Sequence, residues 1–331
     1  MNFFKALVVN KTDEGTEISI KNLNVDDLSE GDVLIDVHYS SVNYKDGMVA
    51  AEGQIAKDFP IIPGIDLAGE VIESKDDRFK KGDAVIATSY KIGTGISGGF
   101  SEVARIPAEY VVPLPEGLTL KESMELGTAG FTAGISISKL EQAGVTPDNG
   151  EVLVAGASGG AGSLSISMLA ALGYDVVAST GSMDEKDYLT SLGAKKVIHR
   201  DDVVNDDKKP VHKPLYQAAI DPVGGKTTEY IIKTLKPEGA LATFGLVGGI
   251  QVHTTVLPFI GRGIHWLGVD SVFYPMEQRI KVWDRLAKDL KPEILDKDVV
   301  NEVSLEELPQ ILYDIISGKV RGRTIVNLKS E

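Results

Sequence analysis

Apolar positions recur along this chain with two different periods. In the first third they come in short, mostly alternating runs. Residues 3–9, 18–23 and 33–39, the last reading V-L-I-D-V-H-Y, predict strands. Residues 67–72, 84–88, 100–105 and 110–113 continue the series, punctuated by Gly82-Asp83 and by four glycines between 93 and 99. Many short strands with turn punctuation predict a small β-barrel-like domain from residue 1 to about 120. The polar stretch 40–47, ending in glycine, predicts a loop leaving a strand.

The pattern then changes. Residues 121–126 predict a helix, and G-T-A-G-F-T-A from Gly127 leads into an amphipathic helix ending near Gly144. From residue 151 strands and helices alternate, as in a parallel α/β sheet. The strands are expected at 152–155, 174–179, 196–199, 217–221, 240–245 and 265–269. The helices are expected at 161–172, 184–192, 226–235 and, briefly, near 258, with 201–213 a charge-rich solvated loop. After Pro275 come helices at 276–290 and 305–317, a strand at 299–303 between them, and a closing strand at 323–328. A lone strand is not stable unpaired, so the closing one is expected to return to the first domain.

The stretch V152-L-V-A-G-A-S-G-G-A-G162 carries the first chemistry. A buried strand, a turn without Cβ atoms and an apolar helix put free N–H groups and a positive dipole end where a diphosphate can sit. Ser158, Gly159, Gly160 and Ala161 are the candidate contacts. The spacing is G-x-x-G-G-x-G, and the plainer alternative is a turn that packs a helix close to a sheet. NAD sites carry an acid about 20 residues past the start of such a motif. Here the second strand ends V-V-A-S-T-G-S, where Ser179, Thr180 and Ser182 can donate to a phosphate and Arg200 can add a cation. This favours NADPH. Asp184 dissents, as a ribose partner, but reads better as the N-cap of the helix from Glu185. In the first domain Asn43, Tyr44, Lys45 and Asp46 cluster after a strand, with Tyr44 a candidate proton donor and Asn43 a candidate hydrogen-bond donor to a carbonyl. Packing and turn formation are the alternatives. Asp66, just after Pro63-Gly64, is a further candidate, or an Asx-turn residue.

Charge narrows the partners. With 34 basic and 48 acidic residues the net charge is −14, which disfavours nucleic acid and acidic membrane surfaces. There is no cysteine, so no disulfide, thiolate zinc site or cysteine nucleophile; five scattered histidines show no ligand spacing, and no metal is expected. No signal-peptide pattern opens the chain, and no run approaches the ~18 apolar residues that span a bilayer. A cytoplasmic protein is expected.

Taken in order, V-N-Y-K-D-G from Val42, P-G-I-D-L-A-G from Pro63, G-G-F-S-E from Gly98, G-T-A-G-F-T-A from Gly127, G-A-S-G-G-A-G from Gly156, D-P-V-G-G from Asp221, P-F-I-G-R-G from Pro258 and G-K-V-R-G-R-T from Gly318 run through nearly the whole chain. The chain thereby resembles the zinc-free branch of the medium-chain dehydrogenase/reductase superfamily, and within it the quinone oxidoreductase group that includes bacterial acrylyl-CoA reductases. The resemblance implies an α/β protein in which a Rossmann doubly wound parallel sheet, residues 124–272, is inserted in a GroES-like β-barrel catalytic domain, residues 1–123 and 273–331. It implies NADPH as cofactor, a small-molecule substrate and a homodimer. It also implies that Thr128 and Thr132 contact the cofactor, that Gly245 and Leu246 flank the nicotinamide, and that Asp270 and Ser271 lie near its carboxamide. Lys45, Asp66, Arg262 and Arg323 are candidate substrate contacts, the two arginines for an anionic group or else as structural partners. Many relatives carry a basic residue where Ser182 stands and a larger apolar residue at Gly261. The expected reaction is NADPH-dependent reduction of an α,β-unsaturated thioester or ketone. Quinone reduction is the alternative, and a non-catalytic NADPH-binding sensor or structural protein is the alternative of another kind.

Overall fold

A computed structural model describes residues 3–205, 207–293, 295 and 300–330. The chain divides into two compact units. One unites the stretch up to Thr128 with Val272–Ala287 and the chain from Leu295; the other is Ala129–Ser271 with a short stretch from Lys288.

The first unit opens with a hairpin. Strands β1 (Phe4–Thr12) and β2 (Gly15–Leu23) pair antiparallel, from Phe4 opposite Leu23 to Thr12 opposite Gly15. Then follow β3 (Val33–Ser41), helix α1 (Tyr44–Ala50), β4 (Asp66–Ser74), β5 (Ala84–Thr88), β6 (Val103–Ile106) and β7 (Val111–Pro113). The expected loop at 40–47 is corrected here: β3 runs to Ser41 and a helix starts at Tyr44. Asp46, in the first turn, accepts the Asn43 N–H at 2.8 Å, half of a reciprocal helix cap. Gly47, read as the end of a loop, lies inside the helix.

Helix α2 (Leu120–Gln142) is broken at Gly127, whose φ of +51° no other helical residue would tolerate, and carries the chain into the second unit. That unit is built from β8 (Val152–Val154), α3 (Gly160–Ala171), β9 (Val176–Thr180), α4 (Lys186–Ser191), β10 (Lys196–His199), β11 (Tyr216–Asp221), α5 (Gly225–Thr234), β12 (Leu235–Thr243), α6 (Leu257–Arg262) and β13 (His265–Gly268). The six strands form one parallel sheet in the order β10-β9-β8-β11-β12-β13. In order of succession that is 3-2-1-4-5-6, the doubly wound dinucleotide-binding arrangement, with its switch point between β8 and β11. Burial explains the sequence signal: every residue of β8, β9 and β11 is buried. Two local expectations change. The strand expected from 240 starts at Leu235, directly after α5, and a register shift between Tyr216 and Ala218 absorbs the early start. Asp184 is not the N-cap of α4; it lies inside a short 3₁₀ turn, Met183–Glu185, that Ser182 precedes.

The chain returns through α7 (Met276–Leu286), β14 (Val300–Val303), α8 (Leu308–Ile316) and β15 (Arg323–Asn327). Val299, expected to open the strand before α8, lies outside the described residues. As expected, the closing strand joins the first unit: β15 pairs antiparallel with β3, placing Ile325 opposite Ser41, and parallel with β14. The resulting seven-stranded sheet runs β14-β15-β3-β4-β5-β7, with β6 also on β3. Its core gathers Leu7, Ile35, Leu67, Phe100, Leu308, Leu312 and Val326.

Helix α1 packs on α8 through Gly47. A Cβ there would lie 2.8 Å from Ile315 Cγ2 and Ile316 Cγ1. Alanine in a helix gains about 1 kcal/mol over glycine, whereas overpacking costs about 1–3 kcal/mol. Gly47→Ala is therefore expected to be net destabilising by up to about 2 kcal/mol, as a lowered urea midpoint at unchanged slope; a raised midpoint would show that α1 and α8 separate freely.

Candidate active site

In the first unit the predicted residues converge on one buried cluster. The Asp66 carboxylate, at the start of β4, is fully buried. Its Oδ2 accepts from Ser41 Oγ at 2.7 Å, Asn43 Nδ2 at 2.8 Å and the Thr128 N–H at 2.8 Å, and its Oδ1 accepts from Thr128 Oγ1 at 2.5 Å. Asp66 is thus no Asx-turn residue. Ser89 Oγ stands 2.9 Å from the Thr128 hydroxyl, whose proton is directed at Asp66. Asn43 also donates to the Ser41 carbonyl at 3.3 Å. Both N–H groups of its amide are engaged, so the structure makes Asn43 a holder of the cluster rather than a donor to a substrate. Tyr44, the next residue, is 43% exposed and stands in the first turn of α1. Lys45 is half-buried beside it.

Arg323 completes the cluster from β15. It is 3% exposed, and its guanidinium donates to the carbonyls of Glu125 (2.9 Å), Val42 (3.1 Å) and Met124 (3.4 Å) and to Asn43 Oδ1 (3.4 Å). This corrects the expectation of an anionic substrate contact: the cation is buried and faces carbonyls. Gly127 is needed at the bend because a Cβ would meet Ser41 Oγ, Asp66 Oδ2 and Arg323 Nη2 within 2.7 Å. Asp46, buried beneath α1, accepts N–H groups from Asn43 and, at 2.9 Å, from Ile65. Burial, and then the Asp66 charge, push its carboxyl up to about 7. Burial lowers the Arg323 pKa against the pull of Asp66 and Asp46.

In the second unit the predicted diphosphate turn is present at the C-terminal end of β8. Gly159 is the N-cap of α3, and Gly162 packs so closely that a Cβ would lie 2.4 Å from the Gly156 carbonyl. Across the turn Ser158 Oγ and Thr180 Oγ1 are 3.2 Å apart, and Thr180 Oγ1 accepts the Ser182 N–H at 3.0 Å. Ser179 is buried, and its hydroxyl has no hydrogen-bond partner among the described residues. An unpartnered buried hydroxyl, a glycine cradle and a helix N-terminus fit a dinucleotide. Arg200, exposed, follows His199 of β10, which lies opposite Thr180 of β9.

The other predicted residues are more dispersed. Gly160 and Ala161 form the first turn of α3. Thr132 is buried in α2, and its carbonyl accepts from Ser136 Oγ. Gly245 and the 61% exposed Leu246 follow β12, while Asp270 and Ser271 follow β13. Arg262 donates to the carbonyls of Lys233 (3.0 Å), Leu235 (2.8 Å) and His212, so it too is a structural residue of its unit and not a substrate contact. The sequence reading placed Asp46 in the 43–46 cluster without giving it a role, and missed Ser41 and Ser89 as site residues. It also left Asp221, quoted only within a motif, without a role: buried, it accepts from the Val223 and Gly224 N–H groups and Thr228 Oγ1 at the switch point. The acid three residues after Asn43 was the available signal for Asp46. Among the described residues no His, Cys, Asp and Glu side chains group to hold a metal.

Two variants test the cluster. Arg323→Met leaves the carbonyls without their donor and Asp66 without its buried cation, and is expected to cost about 3–5 kcal/mol in urea unfolding; a loss below about 1 kcal/mol would remove Arg323 from the centre of this unit. The stabilising effect of a carboxyl whose folded pKa is raised is complete below about pH 4 and lost as pH rises through about 7. The stability difference between wild type and Asp46→Asn should shrink between about pH 4 and about pH 7. A constant or widening difference would mean that Asp46 is ionised throughout.

Comparison with known proteins agrees with this geometry. The family model "Alcohol dehydrogenase GroES-like domain" matches residues 29–116, and "Zinc-binding dehydrogenase" matches residues 160–288. "Putative quinone oxidoreductase YhfP" of Bacillus subtilis (strain 168) is 48% identical, over 98% of this chain and 99% of its own. Its structure, solved with NAD bound, covers 99% of this chain and 100% of that one with a TM-score of 0.95. "Acrylyl-CoA reductase AcuI" of Ruegeria pomeroyi is 41% identical, over 99% of this chain and 100% of its own. The yhdH oxidoreductase of Salmonella enterica, solved in complex with NADP, is 42% identical, covers 98% of this chain and 100% of that one, and has a TM-score of 0.95. With its doubly wound sheet, its glycine turn and these relatives, the chain belongs to the medium-chain dehydrogenase/reductase superfamily.

Proposed function

We propose that this protein is an NADPH-dependent reductase of α,β-unsaturated carbonyl compounds, of the acrylyl-CoA reductase type. The observation that carries the reading is an exposed tyrosine, Tyr44, set at a helix start whose neighbours are immobilised by a buried hydrogen-bonded cluster. Sites that stabilise developing charge need donors held rigidly before the reaction. The AcuI relative, 41% identical over 99% of this chain, supports the substrate class.

Ser158, Gly159, Gly160 and Ala161 would hold the diphosphate at the start of α3. Ser179, Thr180 and Ser182, with Arg200, would take the phosphate on the adenosine ribose. NADPH, when bound, supplies a hydride to the β-carbon of the unsaturated substrate. As that carbon accepts hydride, negative charge gathers on the carbonyl oxygen. The Tyr44 phenol donates a hydrogen bond to this oxygen, and a proton from Tyr44 or water completes the α-carbon. Asn43, Asp46 and Asp66 act at one remove, by fixing the helix that bears Tyr44.

Quinone reduction is the second reading, favoured by the name of the 48% identical YhfP. NADPH oxidation with acrylyl-CoA and with a simple quinone distinguishes them. The thioester should turn over faster, and Tyr44→Phe should lower its kcat about 10–100-fold with little change in KM. Turnover of the quinone alone would transfer the function to the second reading, and an unaltered kcat in Tyr44→Phe would remove the phenol from the chemistry.

We also propose a cytoplasmic homodimer. A cysteine-free chain suits a reducing compartment. Strand β13 ends the six-stranded sheet with one edge unpaired, and Trp266, Leu257 and Ile260 near it are 42%, 48% and 76% exposed. Sedimentation should give twice the 35.4 kDa chain mass, and Trp266→Lys should shift it to one chain; a wild-type monomer at micromolar concentration would end this proposal.

A further inference from the structure

We infer that Gly181 is a specificity-determining residue for the ribose 2′-phosphate of the cofactor, because the space where its side chain would stand is the space Arg200 occupies. The inference rests on the proposed role of Arg200. A Cβ built on Gly181 would lie 2.9 Å from Arg200 Cδ, 2.9 Å from Nε and 3.0 Å from Cζ. The outer half of the arginine therefore runs directly past the bare face of this glycine.

The arrangement follows from register and from a turn. His199 lies opposite Thr180 in the parallel β9–β10 pair, so the next residues of both strands, Gly181 and Arg200, leave the sheet side by side. Thr180 Oγ1 accepts the Ser182 N–H at 3.0 Å and meets Ser158 Oγ at 3.2 Å, which fixes the direction of the Gly181 peptide and ties it to the diphosphate turn. Gly181 does not need to be glycine for its backbone, since it is absent from the residues with positive φ. The three atoms nearest to a side chain there all belong to the arginine. Arg200 has neither a hydrogen bond nor an ion pair among the described residues, although it stands next to Asp201 and Asp202. Its exposed guanidinium lies beside Gly181 and remains available to an anion, with Ser182 and the buried Ser179 hydroxyl on the neighbouring strand end.

A side chain at 181 would displace the flexible end of Arg200, not backbone. Gly181→Ala should therefore fold as the wild type does, and its effect should fall on one phosphate. Binding is read without turnover, by titrating wild type, Gly181→Ala, Arg200→Ala and the double variant with NADPH and NADH, and with adenosine 2′,5′-bisphosphate and 5′-AMP. Gly181→Ala should weaken NADPH and the bisphosphate about tenfold and leave NADH and 5′-AMP within about twofold. Arg200→Ala should do the same, and the double variant should lose little more than either, because both changes remove one contact. If Arg200→Ala leaves the NADPH to NADH ratio unchanged, the assignment of Arg200 falls and this inference with it. If Arg200→Ala collapses the ratio while Gly181→Ala preserves it, the assignment of Arg200 stands and the role of Gly181 is overturned.

Discussion

The first unit depends on one buried cation. Arg323 lies on the last strand, yet its guanidinium satisfies carbonyls of Val42, Met124 and Glu125, in the segments that lead into α1 and form the first turns of α2. A buried guanidinium has five donors and is costly unless they are met. It therefore specifies the relative placement of three stretches that are far apart in sequence. Because β15 also pairs with β3, the strand that ends just before Asn43, the same residue links the return of the chain to the helix that carries Tyr44.

Charge balance gives this cluster its character. Three buried carboxyls, Asp66, Asp46 and Glu125, act electrostatically on one guanidinium in the interior. Asp66 takes four hydrogen bonds from Ser41, Asn43 and Thr128. Burial and then the Asp66 charge outweigh the two backbone N–H groups that Asp46 accepts, so its proton is retained to about pH 7. The division explains why Asn43 and Tyr44, neighbours in sequence, have different roles. Asn43 is drawn inward by Asp66 and Arg323, whereas Tyr44 is left 43% exposed.

Much of the fold was legible in the chain because it rests on burial. The runs at Val152–Val154, Val176–Thr180 and Tyr216–Asp221 are buried throughout, and no other element of that length carries such a pattern. The glycine turn and the return of the closing strand were legible for similar reasons. The start of α1 was not: a seven-residue helix with a glycine in it shows neither period, and Gly47 is explained only by Ile315 and Ile316, 268 residues and more further on. Arg323 was misjudged for the same cause. Its partners are main-chain carbonyls, which leave no mark on sequence, so a buried structural arginine and a surface one look alike. Asp66 was seen as chemically notable, but the four bonds that define it come from β3, the start of α1 and the end of the Gly127 bend.

The acidic balance of the chain bears on how the cofactor end must work. A net charge of −14 repels an anionic dinucleotide at long range. Screening at physiological ionic strength limits that repulsion to about 8 Å, so affinity must be made by contacts nearer than this. Under the proposed binding mode the requirement is met with uncharged donors: the first turn of α3, the hydroxyls of Ser158, Thr180 and Ser182, and the unpartnered hydroxyl of Ser179. Neutral donors gain affinity without attracting the many other anions that a basic surface would collect. In the proposed mode a single guanidinium, that of Arg200 beside Gly181, would then discriminate at one position. Discrimination by geometry and not by field is what a strongly acidic protein needs in order to recognise an anion.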